Sequence, residues 1–76
     1  MNTQVTVVVD VREELTRSSG DELLGVLGGL QGIWRASVSS RARRLVLVEY
    51  DPKVTDSLSI LGAVTDRGFD ARLIGL

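Results

Sequence analysis

The sequence predicts an α+β fold in which strands and helices follow the order βαββαβ, and three observations carry that expectation. Valines at positions 5, 7, 9 and 11 recur every second residue, the period of a half-buried strand, and β-branched side chains suit a pleated surface. Two later stretches, 23–30 and 60–64, space their apolar residues as a helix does, and each runs into glycine. Between them lie two strand-like runs, 33–39 and 44–50, joined by a short linker and closed by Asp51-Pro52.

Each element has its own justification. The first strand covers 4–11, with Val8 interrupting an otherwise polar second face, and the charged stretch 12–18 reads as a loop. Ser19 and Glu22 have the spacing of a capping box for the first helix, and Ser18 with Asp21 is a near-equal candidate. Leu23, Leu24, Val26, Leu27 and Leu30 cover an arc of about 160° at 100° per residue. Gly28, Gly29 and Gly32 supply stop signals. The linker 40–43 reads as a hairpin between the second and third strands. Thr55 is the expected N-cap of the second helix, whose stripe is Ile60, Leu61, Ala63 and Val64, with Gly68 as a left-handed cap. Residues 71–76 form the last strand. Two β-α-β units of this kind make a ferredoxin-like sandwich: a four-stranded antiparallel sheet, strands one and three central, with both right-handed crossovers placing their helices on one face.

Composition narrows the function. The chain has 76 residues, enough for one small domain spanning 1–76, and neither cysteine nor histidine. Disulfides, thiolate nucleophiles and an imidazole base are therefore excluded, and no serine has a partner suited to activating it, so an enzyme is not expected. Nine basic residues against ten acidic ones leave a net charge of −1, which gives no general pull toward nucleic acid or anionic membrane. Apolar runs are too short to span a bilayer, and no basic and apolar leader opens the chain, so a cytoplasmic protein is expected.

Several landmarks together resemble one family. Gly32-Ile33, Ala36 and Val38, the run Val48-Glu49-Tyr50-Asp51-Pro52, Ala63-Val64, and Gly68-Phe69-Asp70-Ala71 are similar in type and spacing to the heavy-metal-associated domain. That is the small fold of copper chaperones and of the N-terminal domains of metal-pumping ATPases. The resemblance implies a Cys-x-x-Cys metal motif just after the first strand, its second cysteine opening the first helix. Those two positions fall on Thr16 and Ser19, in the stretch Thr16-Arg17-Ser18-Ser19. Monovalent copper prefers thiolate or thioether ligands and zinc prefers thiolate, imidazole or carboxylate, so neutral hydroxyls are poor replacements. Arg17 adds positive charge at the same place, and Met1 is the remaining sulfur. The chain is accordingly expected to be a degenerate member that binds no soft metal and needs no cofactor.

What is left to act is surface. If Val7, Val9 and Val11 face the helices, Val8 faces away; by the same parity Leu45 and Leu47 face out while Val46, Val48 and Tyr50 face in. Val8, Leu45 and Leu47 would then be adjacent on the two central strands, and Trp34 joins them if its strand carries a bulge of the right sense. Arg41, Arg43 and Arg44, with Arg35 on the neighbouring strand, form the one cationic cluster. These residues point to a protein-interaction or self-association module, with burial of the apolar group as driving force and the arginines setting orientation. RNA binding of the kind this topology supports needs aromatics on the central strands, where only Tyr50 occurs, at one end. The alternative is a metal chaperone or metal-sensing domain using oxygen ligands, with Asp10, Glu13 and Glu14 the nearest hard donors.

Overall fold

A computed structural model describes residues 4–74. Its elements run β1 (Val5–Val11), α1 (Arg17–Gly28), β2 (Ile33–Val38), β3 (Leu45–Tyr50), α2 (Ser57–Asp66) and β4 (Ala71–Ile74). The four strands form one antiparallel sheet in the order β2-β3-β1-β4, so β3 and β1 are central. This is the expected ferredoxin-like α+β sandwich. The last two residues of the expected fourth strand, 75 and 76, lie outside the described residues.

Alternation decides which side of the sheet the helices cover. Val7, Val9 and Val11 of β1 and Val46, Val48 and Tyr50 of β3 are buried, and Val9, Val46 and Val48 are fully so. They meet Leu23 and Leu27 of α1 and Ile60 and Val64 of α2, all four inaccessible to solvent. Each such side chain contributes about 1.5–3 kcal/mol relative to exposure, which makes this single layer the main source of stability in so short a chain. Ala36 and Val38 of β2 and Leu73 of β4 close its edges.

Both helix starts differ from expectation. The N-cap of α1 is Thr16, three residues before Ser19: Thr16 Oγ1 accepts from the Ser19 amide at 3.0 Å, and the Thr16 amide donates to Ser19 Oγ at 2.8 Å. Serine thus fills the capping-box position usually taken by a longer acid or amide, and the Ser19–Glu22 box is displaced because the helix has already begun. Burial of Leu15 at 4% exposure draws the chain inward and fixes this earlier start. The expected polar loop 12–18 therefore contains a core residue. In α2 the cap is Asp56 rather than Thr55: the Asp56 carboxylate accepts from the Ser59 amide at 2.7 Å, while Thr55 still belongs to the preceding turn, its amide donating to the Asp51 carbonyl at 3.1 Å. Hydrogen bonds from Ser59 hold that carboxyl below the usual carboxylate range.

Among the described residues two glycines take positive φ. Gly68, at +93°, is the expected left-handed turn after α2. Gly32, at +86°, precedes β2, and a Cβ there would stand 2.9 Å from Val54. Conformation and space both exclude a side chain at that position.

The register between β2 and β3 slips by one residue. Ile33 pairs with Tyr50 and Arg35 with Glu49, leaving Trp34 without a partner in the ladder. The slip restores Ala36 opposite Val48 and Val38 opposite Val46, so the edge strand turns small apolar residues toward α1.

Candidate functional site

The loop between β1 and α1 is the first candidate. Thr16 and Ser19 are brought together, their hydroxyl oxygens 3.0 Å apart, but they hydrogen-bond each other and the helix start. Arg43 reaches over from the β2–β3 connection and donates to the Leu15 carbonyl at 2.9 Å and the Thr16 carbonyl at 3.4 Å. The Leu15 amide in turn donates to the Arg43 carbonyl at 3.0 Å. A guanidinium of the chain itself thus braces the carbonyls at the loop's end. A hollow of about 340 Å³ beside it is lined by Glu13, Glu14, Thr16, Ser19, Phe69 and Asp70, among others. Among the described residues no three carboxylate side chains come close enough to ligate one ion. The hydroxyl pair has hydrogen-bonding chemistry, and no thiolate or imidazole stands near it.

The arginines expected as one cluster are directed to different neighbours. Arg43 serves the loop, and Arg35 lies opposite Glu49, several residues from the hairpin turn. Arg41 is exposed in that turn. Arg44 turns to the sheet and binds Asp10 through two parallel contacts, Nε to Oδ1 at 3.0 Å and Nη2 to Oδ2 at 3.2 Å. Arg72 of β4 adds Nε to Oδ2 at 3.3 Å. The Asp10 side chain is 5% exposed, whereas those of Arg44 and Arg72 are 50% and 77% exposed. The hydrogen bonds of Arg44, joined by those of Arg72, hold the Asp10 carboxyl below its ordinary range against a burial that pushes it up. The same contact raises Arg44 above the ordinary arginine value. Sequence reading offered Asp10 only as a loose oxygen donor; its partners come from the turn just before β3 and from β4.

The open face of the sheet is the second candidate. Val8 stands directly opposite Leu47 on β3 and opposite Ile74 on β4, while Ser37 of β2 pairs with Leu47 on the other side. Leu47 and Ile74 are 38% and 36% exposed, and Val8 is half-buried between them. The neighbouring row on the same face holds Leu45, Asp10 and Arg72, paired in that order across β3, β1 and β4. Leu45 is thus adjacent to the apolar row, and Ile74 is a member the sequence reading missed. Trp34, 49% exposed at the register slip, lies outside the row.

The sequence matches no family model, and no curated protein matches it. Solved structures do match. Oxidised MerP from Ralstonia metallidurans CH34 is 16% identical, with 96% of this chain and 100% of that one covered and a TM-score of 0.84. The N-terminal domain of a potential copper-translocating P-type ATPase from Bacillus subtilis, in its Cu(I)-loaded state, is 23% identical, with 96% and 90% covered and a TM-score of 0.84. A copper-binding domain from HMA7, a P-type ATPase, is 21% identical, with 92% and 93% covered and a TM-score of 0.82. The chain has the ferredoxin-like fold of heavy-metal-associated domains. It carries no cysteine.

Proposed function

We propose that the chain is a degenerate heavy-metal-associated domain that has given up its metal cargo and works as a protein-interaction module through the open face of its sheet. The observation that carries the reading is the row Leu47–Val8–Ile74, continuous across three strands on the side opposite the helices. Leu47 and Ile74 are already more than half buried and Val8 is half-buried, so covering the row would add a fraction of the about 1.5–3 kcal/mol that full burial of an exposed side chain of this kind is worth. Loss of metal binding is supported by the loop chemistry: two hydroxyls satisfied by each other, and a guanidinium on the adjoining carbonyls. In this reading Trp34 and the edge strand β2 extend the contact surface, and Arg35, Arg41, Arg43 and Arg44 bias the partner's orientation through charge. The domain spans 1–76, needs no cofactor, and acts on proteins rather than nucleic acid or membrane; its place is the cytoplasm.

The test joins two measurements. Calorimetric titration with Cu(I), Zn(II), Ni(II), Fe(II) and Mn(II) should give no dissociation constant at or below micromolar. Sedimentation at two concentrations then separates self-association from a heterotypic role. Tight one-to-one binding of any of these ions by the wild type overturns the reading in favour of a metal chaperone or sensor.

A further inference from the structure

Asp10 and its arginines lie on the same face as the apolar row, one step along the strands. Val8 and Asp10 are two residues apart on β1, and their β4 partners Ile74 and Arg72 are likewise two apart. Along a strand that separation is roughly 7 Å, the distance between same-side residues of any extended peptide. Around Asp10 is an open hollow of about 410 Å³ lined by Asp10, Arg12, Arg44, Asp70, Ala71 and Arg72.

We propose that this hollow anchors a carboxylate of an acidic protein segment, whose apolar side chain two residues away covers Val8, Leu47 and Ile74. The proposal rests on the docking reading above and names the partner's chemistry. Asp10 is sealed beneath its two arginines, so it orients them more than it competes for a ligand. Arg44 spends Nε and Nη2 on Asp10 and Arg72 spends only Nε; among the described residues, Nη1 of Arg44 and both Nη atoms of Arg72 have no partner. Guanidinium forks held in place match a carboxylate's two oxygens, and their prior ordering lowers the cost of binding. Arg12 and Asp70 form an exposed pair at the rim at 3.3 Å, weak enough to exchange partners. Three guanidiniums against two carboxylates leave the hollow one net positive charge on a chain that is −1 overall. Charge complementarity therefore selects an acid, and continuity with the apolar row selects a protein segment over a free anion.

Random peptides displayed on phage, selected on the immobilised full chain, provide the probe. Recovered peptides should be enriched in aspartate or glutamate two residues from leucine, isoleucine or phenylalanine. A recovered peptide titrated into the isotopically labelled chain should shift the amides of Val8, Asp10, Leu47 and Arg72. Replacing its acid by the amide, or Arg72→Gln in the protein, should weaken binding about tenfold, with partial recovery in Arg72→Lys. Apolar peptides without acids, indifferent to Arg72→Gln and to salt, overturn the carboxylate anchor while leaving the docking reading in place. Recovery no better than on a folded Leu47→Asp chain overturns both. Shifts of the arginine side chains by inorganic phosphate without any acidic peptide enrichment also overturn the proposal, marking a general anion site. So does a self-associated chain that occludes the face.

Discussion

Val8 and Leu47 face each other across the two central strands, on the side of the sheet that neither helix covers. Cross-strand partners are the closest contacts a sheet offers, so the pair forms one surface unit, and Ile74 extends it on the other side of Val8. The residues on either side of Leu47, Val46 and Val48, point to the opposite face and are fully buried. The outward pair can therefore be altered without opening the core.

Leu47→Asp should leave the fold intact and weaken whatever association the wild type shows. Circular dichroism and urea melts check the first part, and sedimentation checks the second. Equal sedimentation of variant and wild type, with the wild type associating, would remove Leu47 from the interface.

Thr16→Ala should destabilise the chain by about 1 kcal/mol, read as a lower urea midpoint with an unchanged slope, because it deletes the N-cap of α1. Ser19→Ala should lose part of the same interaction, so the double variant should cost less than the two single losses together. Strict additivity would show that the reciprocal pair is not a unit.

Thr16→Cys combined with Ser19→Cys should create a thiophilic metal site. The hydroxyl oxygens are already 3.0 Å apart, and soft cations want two thiolates converging from one loop. Cadmium or Cu(I) titration of the reduced double variant, followed by thiolate absorption, should reach one ion per chain while the wild type stays silent. A silent double variant would mean that the Arg43 brace, more than the missing sulfur, closes the loop to metal.

Acid should weaken the sheet through Asp10. Its folded carboxyl titrates below the unfolded value, so the stabilisation is complete above an unfolded pKa of about 3.9 and is lost as pH falls through the lower folded value. Asp10→Asn should thus be less stable than the wild type at neutral pH, with the gap narrowing below about pH 4. A gap independent of pH would show that Arg44 and Arg72 do not favour the charged form.

Gly32→Ala should cost more than about 1 kcal/mol, since it forces a side chain to positive φ and into Val54. Thermal melts should place it well below the wild type; an unchanged melting temperature would contradict the close approach.

Element order and the two faces of β1 and β3 were legible in the sequence because they depend on local periodicity, valines at every second position and leucines spaced for one side of a helix, and sheet order followed from the right-handed crossovers of two β-α-β units. Gly68 was legible because a left-handed cap is a local requirement. The resemblance to heavy-metal-associated domains and the absence of sulfur at Thr16 and Ser19 were likewise there to be read. The helix starts were not, because three hydroxyl residues compete in one turn and the burial of Leu15 settles which of them caps.

Sequence by itself determined the fold and the missing thiolates, since both follow from which residues stand at which spacing. Tertiary structure alone decided that Arg44 and Arg72 close over Asp10, that Arg43 braces the loop, and that Ile74 joins Val8 and Leu47. The reason is distance along the chain. Asp10 and Arg72 are 62 residues apart and Val8 and Ile74 farther still, and nothing in a local pattern says which arginine a carboxylate will find once strand pairing has brought several within reach.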